Sequence, residues 1–322
     1  MQRDAKVRIG TRASTLARTQ TGWVADRLRG LGLVVEVETI STQGDERADV
    51  PVPRIGGDGV FVRELEQALL EGRIDAAVHS LKDLPTAETP GLSLACVPER
   101  ATPFDVLVAG PGASLAGLRP GAVVGTSSIR RVAQTRGLRP DLEVRPIRGN
   151  VDSRLRRLDA GDYDGLILAA AGLERLGLAA RISEVLRPPA FWPAVAQGAL
   201  VVQVRAEDRR MHDLLAPLDH AATHAAVLAE RGCLAGLAGG CLAPIGAWAR
   251  EEADGLVTLG GCVLEDGDGG VRRLVAERRA TGRIGKVSAE DFRQLGADLA
   301  AALLADGAGG MLARMRERNE RG

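Results

Sequence analysis

The sequence predicts an α/β protein with two doubly wound α/β domains followed by a smaller α+β domain. Three observations carry that expectation. Strand and helix patterns alternate over the first hundred residues, the same grammar restarts after "PERATPFD", and the pattern changes character beyond about residue 221. With 322 residues, 45% of them apolar, the chain can bury more than one core.

In the first domain "KVRIGTR" reads as a strand running into a loop, and "STLARTQTGWVADRLRGLG" as a helix capped by Ser14 and stopped at Gly30 or Gly32. "LVVEVETI" is a β-rich strand, "FVRELEQALLEGR" an amphipathic helix, and "DAAVHSL" and "LSLACV" further strands. The second domain runs strand "DVLVAG", strand "AVVGTSS", helix "IRRVAQTRG", strand "EVRPIRG", helix "DSRLRRLDAG", strand "YDGLILAA". "PPAFWPAVAQGALVVQVR", with three prolines before a strand, reads as the chain crossing back to the first domain. The last part offers a helix, "THAAVLAERGCLAGL", meandering strands around "DGDGG", and a long helix from Ser288. The expected boundaries are 1–98 with 199–216, 104–192, and 221–322.

Composition narrows the function. Formal charge is zero, so nothing draws the chain to nucleic acid or membranes in general. Aromatics are 2%, too few for base-stacking platforms. The start, "MQRDAKVRIGTRAST", lacks the apolar stretch of a signal peptide, and "LILAAAGL" is too short to span a bilayer, so the cytoplasm is the expected compartment. Four cysteines form no C-x-x-C pair and are expected to be reduced. The only lysines are Lys6, Lys82 and Lys286, so the compact ammonium of Lys82 stands out in an arginine-rich chain.

The densest chemical signal is basic. Residues 119–159 hold ten arginines against four acids. "GTSSIRR" follows a strand and opens a helix, which brings Thr126, Ser127, Ser128, Arg130 and Arg131 to a helix N-terminus; "RPIRGNVDSRLRR" offers Arg148 and Arg154 at the next strand end. Arginine forks suit carboxylates and phosphates equally, and strand ends are where open α/β sheets take ligands. A solvated basic face is the plainer alternative. "HSLKDLP" places Lys82 and Asp83 where a strand ends, either as acid–base groups or as an ordinary ion pair. Cys241 follows Gly239 and Gly240 and precedes Pro244, a setting that keeps its sulfur approachable. Three other motifs fall short. "GGDGVF" lacks the G-K-[ST] of a phosphate loop, His220 and His224 with His212 lack H-E-x-x-H, and Cys241 has no nearby histidine base.

Seven segments, in order, resemble the porphobilinogen deaminase (hydroxymethylbilane synthase) family over almost the whole chain: "IGTRASTLARTQ", "GGDGVFVRELEQALLEGRIDAAVHSLKDLP", "VGTSSIRRVAQ", "IRGNVDSRLRRLD", "LAAAGLERLGL", "PAVAQGAL" and "GGCLAPIGAWA". The resemblance implies first two domains like the lobes of periplasmic binding proteins. It also implies a dipyrromethane cofactor held by Cys241 through a thioether and contacted by Lys82, Thr126, Ser128, Arg130 and Arg131. Arg12, Ser14, Ser127, Arg148, Arg154 and Arg175 would hold the substrate's acetate and propionate groups. Asp83, at the cleft of the first two domains, would be the catalytic carboxylate, steadying positive charge as ammonia leaves porphobilinogen. Four porphobilinogen units would be added before hydroxymethylbilane is cut off. No metal is implied, and a cytoplasmic monomer without nucleic-acid or membrane partners is expected.

Two residues depart from the family pattern: Asp58 where lysine is common, and Ala196 where glycine is usual. Gly56 and the crossings 98–104 and 192–199 are candidate hinges. The rival readings are a two-domain organic-anion-binding protein, a non-catalytic family member and a nucleic-acid binder.

Overall fold

The computed structural model describes residues 6–41, 62–238, 243–267 and 269–321. From the N-terminus come β1 (Lys6–Thr11), α1 (Thr15–Gly30), β2 (Val34–Thr39), α2 (Arg63–Leu70), β3 (Ala76–Ser80), a 3-10 turn (Leu81–Asp83) and β4 (Leu92–Cys96). The middle holds β5 (Asp105–Val108), β6 (Val123–Gly125), α3 (Ile129–Leu138), β7 (Glu143–Arg145), α4 (Val151–Asp159), β8 (Gly165–Ala169), α5 (Ala170–Arg175) and β9 (Glu184–Leu186). Then follow β10 (Leu200–Arg205), α6 (Arg209–Leu215), α7 (Ala221–Gly236), β11 (Ile245–Glu251), β12 (Leu256–Gly267), β13 (Gly270–Arg283), α8 (Ala289–Ala305) and α9 (Ala308–Arg321).

The chain divides into two compact units, 1–101 with 198–224 and 102–197 with 225–322. The first unit is built on a sheet of order β2-β1-β3-β10-β4. β1, β2 and β3 run parallel, and β10 lies antiparallel between β3 and β4. Side chains alternate across a strand, so one strand feeds two cores. Val7, Ile9, Ala76, Val78, Val202 and Val204 pack with Val24 and Leu28 of α1 on one face. Ala77 turns the other way, to Leu65 and Leu69 of α2. The sheet is therefore covered by helices on both faces. Ser14 caps α1 as its spacing predicts, its hydroxyl accepting the Ala17 N–H at 3.2 Å.

The second unit contains a sheet of order β7-β6-β8-β5-β9. Val106, Val108, Leu166 and Leu168 face one core, and Leu107, Val124 and Ile167 the other. Its C-terminal part is an antiparallel meander, β11-β12-β13. Cys262 and Leu264 of β12 pack on Trp192 and on Ala133 of α3. α7 and α8 cross at contact distance through glycine. A Cβ on Gly232 would lie 2.5 Å from the Arg293 carbonyl oxygen, and one on Gly296 would lie 2.2 Å from that of Ala229.

The structure departs from the sequence reading in places. The stretch read as strand "YDGLILAA" turns into α5 at Ala170. The long helix from Ser288 is well capped by a reciprocal Ser288–Asp291 box, but it ends at Ala305, and Gly307, at φ +101°, redirects the chain into α9. No single helix among the described residues is long and apolar enough to cross a membrane. α8 and the first part of α9 reach that length and composition only as a pair bent by 82°, and α8 buries Phe292, Leu295, Leu299 and Leu303 within its unit.

Ala196, the departure from the usual glycine, adopts φ +56° and is fully buried. A non-glycine residue there carries roughly 1–2 kcal/mol of strain. A glycine would relieve it but would give up about 0.8 kcal/mol of methyl burial and roughly 0.5–1 kcal/mol of unfolded-state entropy. The terms nearly cancel. Ala196→Gly is expected to shift the melting temperature by less than about 2 °C while hydrogen exchange at 195–198 becomes faster. A large gain in melting temperature would show that strain dominates.

Candidate active site

Parallel strands bring their carboxyl ends to one edge of a sheet, and several of the residues singled out in the sequence follow those ends. In the first unit, β1 leads into Arg12 and the Ser14 cap of α1, and its neighbour β3 leads into the turn carrying Lys82 and Asp83. β10 runs the opposite way, so its first residue, Leu200, pairs with Ser80 at the same edge. The turn is held by what flanks it. Leu81 and Leu84 are buried, and the Leu81 N–H bonds the Ala199 carbonyl at 3.0 Å, so Lys82 and Asp83 project half-buried between two anchors. Asp83 makes no salt bridge with any described residue.

A polar chain that the sequence reading missed, buried at His79 and Gln203 and half-buried at Glu66 and Thr89, runs from the strand that leads into this turn. His79 meets Gln203 (3.1 Å), the Gln203 amide donates to Glu66 (3.0 Å), and Thr89 donates to the same Glu66 oxygen (2.9 Å). That direction of donation puts the His79 proton on Nε2. Burial pushes the imidazole down to about 4, with the Arg12 cation acting in the same sense and the Gln203 bond opposing. His79 is therefore neutral at physiological pH, a fixed strut and not a titrating group. Only its place in "HSLKDLP" hinted at it; partners 124 residues apart are not legible from sequence.

In the second unit the same edge gathers Thr126, Ser127 and Ser128 after β6, Arg148 after β7, and Arg175 at the end of the short helix after β8. Antiparallel β5 and β9 bring Asp105 and Leu186 there too. Two residues carry duties that the sequence did not announce. The Ser127 hydroxyl donates to the Ile147 carbonyl (2.7 Å) and accepts its N–H (3.0 Å), latching two loops together. Arg130 and Arg131 are buried, not displayed on a solvated face, and both pair with the fully buried Asp105 at 2.7 Å. Thr126 is buried as well, its hydroxyl accepting the Ser128 N–H at 3.3 Å.

Burial alone would raise the Asp105 carboxyl. The charges of Arg130 and Arg131, with hydrogen bonds from Arg130 and Gln197, outweigh it and hold the group at about 2. A carboxyl lowered from about 3.9 contributes its stability fully above pH 4 and loses it as pH falls toward 2. About 2 kcal/mol of the second unit's stability is thus expected to disappear between pH 4 and pH 2. Urea midpoints measured across that window check it; a flat profile would overturn it.

Arg154 behaves differently. Burial, then the like charges of Arg131 and Arg148, lower it to about 10. Its Nε donates to the Gly149 carbonyl at 2.8 Å, and it has no carboxylate partner among the described residues. Arg175 is lowered to about 10, chiefly by burial. Both remain cationic at neutral pH, at a desolvation cost.

Cys241 lies in the connection between α7 and β11, outside the described residues, and Gly56, Asp58 and the rest of "GGDGVF" up to Phe61 do too. The three described cysteines are buried thiols, pushed by burial to about 12 at Cys96 and Cys233 and about 11 at Cys262. His224 pairs with Asp219 (2.9 Å), His220 meets Thr223 (2.8 Å) and His212 meets Ser93 (3.1 Å). Among the described residues no cluster of metal-ligating side chains forms.

Cations gathered at the strand ends of two α/β units define a class, proteins that take small organic anions at the carboxyl edge of a sheet. Comparison with known proteins narrows it. The family model "Porphobilinogen deaminase, dipyromethane cofactor binding domain" matches residues 7–213, and "Porphobilinogen deaminase, C-terminal domain" matches 224–305. The porphobilinogen deaminase of Nitratidesulfovibrio vulgaris is 48% identical over 96% of this chain and 97% of its own length. That of a Roseiflexus species is 49% identical over 95% and 98%, and that of Brevibacillus brevis 44% over 98% and 99%. Among solved structures, a methionine-bound nutrient-binding protein of Burkholderia cenocepacia shares 15% identity at a TM-score of 0.41 over 65% of this chain and 90% of that one. The chain belongs to the porphobilinogen deaminase family. It is a transferase of tetrapyrrole biosynthesis with dipyrromethane as its cofactor.

Proposed function

We propose that this chain joins four porphobilinogen molecules, with loss of ammonia at each addition, on a dipyrromethane primer attached to Cys241, and releases hydroxymethylbilane by hydrolysis. The observation that carries the reading is the charge cluster of Arg131, Arg148 and Arg154. Each pyrrole unit of the substrate bears an acetate and a propionate, and the half-buried Arg154, with no carboxylate partner among the described residues, fits such a ligand.

Bound dipyrromethane would supply the nucleophilic pyrrole carbon at which the first unit is joined. The chain's own residues bind, orient and balance charge. Lys82, Thr126, Ser128, Arg130 and Arg131 would hold the cofactor's carboxylates. Arg12, Ser14, Arg148, Arg154 and Arg175 would hold those of substrate and product, with Ser127 shaping the loop through Ile147. Asp83 is the catalytic residue of this reading. Its carboxylate accepts pyrrole N–H bonds and stabilises the positive charge that develops as ammonia leaves.

An organic-anion binder without catalysis would share the arginines but would have no use for a carboxylate held on an anchored turn. The three-domain division (1–98 with 199–216, 104–192, 221–322) and a cytoplasmic monomer without metal, nucleic-acid or membrane partners complete the proposal. Intact mass of the denatured protein, before and after brief incubation with porphobilinogen, tests it. Two pyrrole units on the Cys241 peptide, followed by single-unit additions, are expected. A chain that stays unmodified would overturn the function.

A further inference from the structure

We infer that Asp105 is a positioning residue that couples the carboxylate-binding arginines to the return crossing of the chain, residues 192–197. The inference rests on the proposed role of Arg130 and Arg131, and it goes beyond it.

One turn of helix grips this crossing at both ends. At its start, Arg130 Nη1 donates to the Trp192 carbonyl; Gln134 donates to the same oxygen at 3.0 Å and accepts the Trp192 N–H at 2.6 Å. At its end, the Gln197 amide donates to Asp105 Oδ1 (3.0 Å) and to the carbonyl of Pro103 (2.8 Å), a residue of the outgoing crossing. Asp105 holds the assembly together. Its Oδ2 takes Arg130 Nη1 at 2.7 Å, and its Oδ1 takes Arg131 Nε at 2.8 Å and Nη2 at 2.7 Å. Gln197 Oε1 in turn faces Arg131 Nη2 at 3.4 Å.

The charge arithmetic gives this geometry a consequence. Two buried guanidinium groups share one buried carboxylate, so the cluster carries a net charge of +1. A ligand carboxylate on the arginines neutralises it and competes with Asp105 for their N–H donors. In a low-dielectric interior that exchange changes the strength of every remaining bond to Asp105, including the one from Gln197. Occupancy of the arginines thereby reaches the crossing through shared hydrogen bonds.

The test uses the full chain, with porphobilinogen as the probe. Hydrogen exchange of the 192–197 peptide is followed with and without porphobilinogen, alongside intact mass. The wild type is expected to gain mass and to slow exchange in this peptide by about five- to tenfold. Gln197→Met keeps both Asp105–arginine pairs; it is expected still to gain mass but to lose the exchange response, with kcat down about fivefold and KM within about twofold. Asp105→Asn, which removes the shared charge, should do the same more severely; if it does not fold, Gln197→Met decides. If the wild type gains mass with no change in exchange, or Gln197→Met responds like the wild type, the coupling is overturned and Asp105 only stabilises the fold. If the wild type gains no mass, the functional reading fails first and the inference falls with it.

Discussion

Replacing Asp83 by asparagine is expected to lower the turnover of porphobilinogen by roughly 10²–10⁴-fold with little change in melting temperature. The side chain is half-buried and forms no salt bridge with a described residue, and its turn is held by buried Leu81 and Leu84 and by the Leu81–Ala199 backbone bond. No ion pair among the described residues depends on its charge. Asparagine keeps the shape but cannot stabilise a developing cation or exchange a proton near neutral pH. The rate of hydroxymethylbilane formation, read beside a thermal melt, separates the two effects. Near-normal turnover would remove Asp83 from the chemistry, whereas a large drop in melting temperature would recast it as a structural residue.

Gly296→Ala is expected to be the most destabilising methyl addition in the C-terminal part of the second unit. The new carbon would lie 2.2 Å from the Ala229 carbonyl oxygen and 2.5 Å from the Cys233 nitrogen. Both are backbone atoms, so no side chain can swing away and α7 and α8 must separate. Overpacking of this kind costs about 3 kcal/mol, well above the ~1 kcal/mol that alanine gains over glycine in a helix. Gly309→Ala is the control. Its added carbon would meet only the tip of Leu304 at 3.6 Å, so α9 should be unchanged or slightly more stable. Urea unfolding of both variants checks the contrast, and equal midpoints would mean that the helices can part at small cost.

Local signals in the sequence were enough to place most elements. Alternation in "KVRIGTR", the apolar run of "DVLVAG", the Ser14 and Ser288 caps, and the apolar stripe of α1 each reflect chemistry within a few residues. The strand ends carrying Arg12, Asp83, Thr126 and Arg148 followed from the same reading, because a loop after a parallel strand can only emerge at one edge. Long-range pairing was not legible. Asp105 finds Arg130 and Arg131 across 25 and 26 residues, and His79 finds Gln203 across 124. Charge counting alone does not show that Arg130 and Arg131 are buried and share one carboxylate. The Ser127–Ile147 latch is hidden for the same reason, since Ile147 belongs to the next strand end. Nothing near Gly232 or Gly296 in the sequence marks them as the points where two helix backbones meet.

The placement of β10 sets an order on how the chain can be made. Its six residues lie between β3 and β4, yet they leave the ribosome roughly 100 residues after Cys96. Until then the nascent N-terminal segment presents two bare strand edges with no partner for either. At ~5–20 residues per second the wait is on the order of 5–20 s. The sheet of β5 to β9 is contiguous in sequence and has no such wait. The segment synthesised second can therefore complete its sheet first, and the turn carrying Lys82 and Asp83 gains its Ala199 anchor only when the chain returns.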